Sequence, residues 1–447
     1  MKTSTAIFLL LVPLHVFSQS FTADQYKEDY LEACALIASK YVYFERKCDL
    51  TRTEFLRQKH GYADSITWDT ETFVKELRKL RGAFPDGHFF WSVPRELSPV
   101  DDYYTLGFVA TFTSDSALIV RKVYPYYAPA LMVDDTIIEV NGVRSVEFIK
   151  EFGKREPQST LHATYEVAAR NLSFIKPYSP PVDKLEEMRF TVRRKGARMT
   201  VTSKYRKCTP TTDVRKSRTD SAAILVQRNG YLSLEEIPDT SLSSHPSLLL
   251  YELKTKKGTF CVLHPRDFFD WDAADIDTVM GIVNAIQPEA LVIDLKDCSG
   301  GAFNEMLYLS HAVNVTREFR FFYDIIDKKG RRVSGVSDFH FITERISLRN
   351  TWKGKLLVRS NEICGSACDF FVRWMRINNR ADIVGTPPAG RGGGTDDFIL
   401  KNTKASINFP LRERIPLHYT STIEGETVEM DYSSERNLYE LLDEVIR

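Results

Sequence analysis

The sequence has no net charge: Lys plus Arg and Asp plus Glu number 60 each among 447 residues. No surplus field draws the chain to nucleic acid or to an anionic membrane, so neither partner is expected. Basic runs such as Arg193-Arg194-Lys195 and Lys254-Thr255-Lys256-Lys257 then read as solvated loops. Beyond the first twenty residues no apolar run is long enough to span a bilayer, which argues against an integral membrane protein. Short tandem repeats and low-complexity segments are lacking, as are nucleotide fingerprints. Gly390 to Gly394 has no Gly-Lys-Ser/Thr ending, and Cys298 to Gly301 has no three spaced glycines. No Cys/His pair at zinc-site spacing answers Cys364 and Cys368, so no metal is expected, and no organic cofactor is implied.

What is present is enough apolar material, 43% hydrophobic and 12% aromatic, to build a sizeable core split into two or three domains. Lys2, the run Ile7 to Leu14 and the small or polar Ser18, Gln19 and Ser20 have the three regions of a secretory signal peptide. The mature chain is expected to start near residue 20 and to act in a periplasm or outside the cell. Cys34 lies too far along to be a lipid attachment site. An exported chain permits disulfides: Cys34 and Cys48 are close enough in sequence to pair, and Cys298, Cys364 and Cys368 are candidates to meet in space.

From residue 21 to 99, apolar residues at three- and four-residue spacing (Tyr30, Leu31, Cys34, Ile37; Phe73, Leu77, Leu80) predict a small helical domain. It closes on Asp86-Gly87-His88 followed by Phe89, Phe90 and Trp91, a tight turn holding a histidine. Residues 100–207 read as a β-rich unit with an Asn141-Gly142 hairpin turn, interrupted by a polar, helix-prone excursion at about 145–185. That unit resembles a PDZ domain, although its loop reads Thr105-Leu106-Gly107-Phe108. A Ser/Thr/Lys-rich linker at 208–221 leads into an α/β section, 222–447, in which strand, Gly-rich turn and helix occur twice.

The second such turn, Asn361 to Phe371, sets Ser366 between the apolar run Leu356-Leu357-Val358 and a helix-spaced set of Phe370, Phe371, Trp374 and Met375. A serine there is either an N-cap residue or a nucleophile whose oxyanion would meet the unpaired N–H groups of a helix start. The first turn, Gly300-Gly301 after the buried strand Ala290 to Leu295, is either a tight bend or half of an oxyanion hole.

Taken together, Val292 to Gly301, Cys364-Gly365-Ser366-Ala367-Cys368-Asp369 and Ile383-Val384-Gly385 resemble the core of the tail-specific and tricorn-core serine peptidases. The resemblance implies a multidomain α/β chain: a crotonase-like α/β catalytic core, a helical N-terminal domain and a PDZ-like domain. It implies Ser366 as nucleophile, with Ala367 and Gly300 or Gly301 as oxyanion donors. Where one branch of the family carries a lysine base between glycines, this chain has Gly390-Arg391-Gly392, and arginine does not deprotonate. The tricorn-like branch draws on an Asp-Gly-His segment and a late glutamate. That maps the base onto His88 and its orienting acid onto Glu429, with Glu426 as runner-up. The expected substrate is protein or peptide. The rival expectation is an inactive binding protein on the same fold.

Overall fold

The computed structural model describes residues 21–94, 97, 103–113, 115–127, 130–175, 187–211, 224–228, 231–232, 241–243, 245–313, 320–326, 332–338, 347–416, 423–433, 438, 440 and 442. The signal-peptide reading of 1–20 and most of the 208–221 linker lie outside them. Among the described residues no helix is long and apolar enough to cross a membrane.

The site is organised by a six-stranded sheet, ordered Leu248–Thr255, Gly258–Pro265, Ala290–Asp294, Leu356–Ser360, Asp382–Gly385 and Tyr432–Ser433. All pairings after the first are parallel. Ala290–Asp294 is buried at every position, as expected of a parallel strand covered on both faces. Helices Ala273–Ile286, Phe303–Ala312 and Ala367–Ile377 pack into one apolar cluster with these strands. Their starts follow local rules. Asp272 caps Ala274 and Asp275 in a capping box, whereas the helix after Ser366 has no side-chain cap bond at all.

Residues 23–82 form four helices, Ala23–Lys40, Phe44–Lys47, Arg52–Asp64 and Thr70–Gly82. Thr22/Gln25 and Thr51/Glu54 close capping boxes on the first and third. Tyr41, Phe44, Phe55, Phe84 and Phe89 stack edge to face within their core. That core is completed by the hairpin Gly393–Ile399/Ser406–Pro416, which sends Leu400, Ile407 and Phe409 into it. Asp29 fastens the hairpin tip by accepting from Asn402 N, Thr403 N and Thr403 Oγ1.

Between these bodies stands a sheet of Phe108–Phe112, Leu118–Val123, Thr136–Val140, Glu187–Arg194 and Ala197–Lys204, with Val143–Arg144 on Thr136–Val140. The described part of the helix-prone excursion forms two helices, Ser145–Gly153 and Leu161–Asn171, and its end at 176–185 lies outside the described residues. The second docks on the α/β core through charge. Arg170 is buried, bonded to Glu166 at 2.6 Å and to Asp297 at 2.8 Å. Asp297 also accepts from Asn361 Nδ2 at 2.8 Å, while its N–H donates to Asn361 Oδ1. Burial alone would raise the Asp297 pKa, but Arg170 and Asn361 hold it well below the ordinary carboxylate range.

Removing one partner of such a network strands a buried charge. Arg170→Met is therefore expected to cost about 3–5 kcal/mol, read from urea unfolding. A loss below about 1 kcal/mol would mean that this network does not dock the helix.

Candidate active site

Strands Ala290–Asp294 and Leu356–Ser360 are parallel neighbours, so the turns leaving their carboxyl ends meet side by side. One turn carries Gly300 and Gly301, with φ of 106° and 146°; the other carries Ser366, with φ 54° and ψ −125°. Positive φ at a serine is strained by about 1–3 kcal/mol. It persists because the surroundings fix it: Ser366 N–H donates to Arg391 O at 3.2 Å, and Ser366 O accepts from Phe370 N. A Cβ on Gly300 would lie 2.6 Å from Ser366 Cβ and 2.9 Å from Ala367 N. Only glycine permits the two turns to approach this closely.

Ser366 occupies the N-cap position but its side chain caps nothing, so the cap reading does not account for it. Among the described residues no partner receives the N–H groups of Gly300, Gly301 or Ala367. All three residues and Ser366 line a cavity of about 770 Å³ that His88 also lines.

His88 comes from the turn between helix Thr70–Gly82 and the short strand Phe90–Ser92. Asp86 locks that turn: its carboxylate accepts from His88 N at 2.7 Å and from Tyr41 O–H at 2.7 Å. Ligand atoms of Asp86, His88 and Glu424 lie within 4.8 Å of one another, and all three residues are buried. Lys47 Nζ sits 2.9 Å from Glu424 Oε1, and Gly392 N donates to Glu424 Oε2. With an ammonium and N–H and O–H donors already on the two carboxylates, the trio reads as a hydrogen-bonded charge network rather than a cation cage. Burial, reinforced by Asp86 and opposed by Lys47, pushes Glu424 up to about 7.

The sequence-based choice of acid needs correction. The Glu429 side chain is 87% exposed and pairs with Arg376, and Glu426 is also exposed. Glu424 takes the place beside His88. The signal that favoured Glu429 was strand context, but the carboxylate beside His88 lies in the turn Ile423-Glu424-Gly425, held by Gly425 N donating to Gly390 O.

Arg391, expected only to be unable to serve as a base, proves to be a strut. Its side chain fills the gap between the turn that carries His88 and the turn that carries Ser366: a Cβ on Gly87 would lie 2.3 Å from its Nε, and one on Gly365 2.7 Å from its Cδ. Its Nη2 donates to Gln158 Oε1 at 2.8 Å, and its N–H to Asp369 Oδ2. Gln158 belongs to the middle unit, as does Ser159, whose Oγ accepts from Gly87 N.

Rival nucleophiles are poorly placed. Cys298, Cys364 and Cys368 meet as anticipated, with Cys368 Sγ 2.7 Å from Cys298 Sγ, and all seven cysteines, Cys34 and Cys48 included, are unpaired. Burial pushes the Cys364 thiol up to about 11 and raises the Cys368 thiol well above its ordinary value, which disfavours thiolates. Lys296, its pKa lowered by burial, does not line the cavity.

Residues 261–434 match the family model described as peptidase family S41. Comparison with curated proteins finds no match. Among solved structures, mature CPAF aligns over 92% of both chains at 15% identity and TM-score 0.69. Mature CPAF complexed with lactacystin aligns over 92% of this chain and 94% of its own, at 15% identity and TM-score 0.67. These two share the fold. The photosystem II D1 C-terminal processing protease aligns over 92% and 93% at 13% identity and TM-score 0.48.

Gly300→Ala should force the two turns apart and destabilise the fold by about 1–3 kcal/mol, checked by thermal or urea unfolding. An unchanged midpoint with wild-type reactivity at Ser366 would contradict the close approach.

Proposed function

We propose that this chain, whose residues 261–434 match the model of peptidase family S41, is a serine peptidase, an exported endopeptidase cleaving extended protein or peptide segments through an acyl-enzyme on Ser366. One observation carries the reading: a strained serine hydroxyl, spared from capping, shares a cavity with unengaged N–H groups and a histidine backed by a buried carboxylate. His88 takes the Ser366 proton as Oγ attacks the scissile carbonyl. The oxyanion is received by Ala367 N–H and by Gly300 or Gly301 N–H, each donor contributing about 3 kcal/mol to the transition state. His88 then returns the proton to the leaving amine, and water releases the acyl group by the reverse sequence. Glu424, in the role first given to Glu429, orients the imidazole and stabilises its protonated form.

The parallel sheet and its helices read as a crotonase-like core. The middle unit reads as PDZ-like, presenting substrate to the cavity, and the first twenty residues read as the export signal. Because Gln158 and Ser159 reach the catalytic turns, that unit also buttresses the site.

A fluorophosphonate should label the wild-type protein at Ser366 and fail on Ser366→Ala. His88→Ala and Glu424→Gln should slow labelling by roughly 10²–10⁴-fold. Glu429→Gln should leave the rate unchanged. Labelling that survives Ser366→Ala, or a larger loss at Glu429 than at Glu424, would contradict the assignment.

The pH response follows from Glu424. Its pKa is raised to about 7, so its carboxylate form is lost as pH falls through that value, and acylation should fall with it. Lys47 favours the carboxylate, so Lys47→Met should move this acid limb to higher pH. A limb that stays put in a pH–rate profile would remove Glu424 from the mechanism.

A further inference from the structure

The catalytic cavity is strongly one-signed. Among the described residues, five arginines line it (Arg78, Arg81, Arg155, Arg391 and Arg412) against a single carboxylate, Glu156. The chain as a whole is neutral, so this is local concentration rather than background. Three of the five are committed elsewhere. Arg391 braces the turns, Arg81 Nε donates to Phe89 O, and Arg412 faces Asp396 at 3.7 Å.

Arg78 and Arg155 differ. Neither guanidinium donates a hydrogen bond or forms an ion pair among the described residues; Arg155 only stacks on Phe152, 4.9 Å from its ring centroid. Burial lowers the Arg78 pKa; Glu156 opposes this, and a smaller repulsion from Arg155 adds to it. Glu156 Oε2 accepts from Asn171 Nδ2 at 3.0 Å. Arg78 is half-buried and Arg155 exposed; two forks with unused donors, lining one cavity walled by Phe90, Trp91 and Phe303, form a receptor for a planar anion.

We infer that Arg78 and Arg155 form a carboxylate subsite, so that the peptidase prefers substrates with an acidic group near the scissile bond. The inference rests on the peptidase reading for its use in catalysis, though not for binding itself. The anion is a peptide carboxylate, from an Asp or Glu side chain or from the chain terminus.

The test uses the full chain and quenched fluorescent peptides of one sequence, carrying Glu, Gln or Lys at each position flanking the cleaved bond, with free or amidated C-termini. Glu should exceed Gln by about tenfold in kcat/KM, with Lys slower still. In Arg78→Gln and Arg155→Gln that preference should collapse while the Gln peptide keeps its rate within about twofold. A preference confined to free C-termini identifies the terminus as the source; one that persists in amidated peptides identifies the side chain. Anisotropy titration of Ser366→Ala with the same peptides gives a readout independent of turnover, with the Glu peptide again tighter. Equal binding and cleavage of Glu and Gln peptides overturns the subsite while leaving fluorophosphonate labelling intact. Equal loss for Glu and Gln peptides in the arginine variants also overturns it, because the arginines would then be merely structural. Absent labelling with preserved Glu preference in Ser366→Ala would overturn the peptidase reading and keep the subsite.

Discussion

The buried side chain of Arg391 is the contact on which the site depends. It lies against Gly87 on one side and Gly365 on the other, so a single guanidinium sets the spacing between the turn that carries His88 and the turn that carries Ser366. Its backbone contributes as well, since its carbonyl receives the Ser366 N–H that helps fix a strained φ. Arginine suits a strut because it stays charged and its planar head can pack flat while donating to Gln158. The arginine that stands between Gly390 and Gly392 thus supplies a brace.

Around that brace, each part of the chain contributes one component of the chemistry. The parallel sheet brings two turns side by side at its carboxyl edge, where Gly300 can touch Ser366. The helical unit offers His88 on a turn locked by Asp86, itself held by Tyr41 from the aromatic core. Lys47, at the end of a short helix, reaches Glu424. The middle unit adds Gln158 and Ser159 and is anchored to the core by the buried Arg170 network. Catalytic geometry on this plan depends on docking between units, which makes remote interface residues such as Arg170 relevant to activity as well as to stability.

Much of this was legible in the sequence, for physical reasons that can be named. The strand Ala290–Asp294 and helix Ala367–Ile377 announce themselves through continuous and helical apolar patterns, and Gly300-Gly301 through the need for positive φ. Ser366 and His88 stand out locally only as turn residues between patterned segments, and the family resemblance is what implies their roles. Glu424 could not. Its selection depends on the register of a loop against Gly390 and Gly392, and nothing in local periodicity reports such a contact. Arg391 as a brace and Gln158 as its acceptor were hidden for the same reason: the pairing spans the chain and leaves no spacing signature. The excursion at 145–185 was recognisably helix-prone, but its function of docking through Arg170 and Asp297 appears only once tertiary structure joins them.

The central claim is that Ser366 becomes transiently acylated in a site assembled from distant parts of the chain. Rapid-quench mass spectrometry during turnover of an activated ester measures this directly. The account predicts a pre-steady-state burst and an acyl mass increment on the peptide containing Ser366, accumulating and then decaying as water enters. Turnover at wild-type rate with no increment on that peptide, or with the increment on another residue, would contradict it.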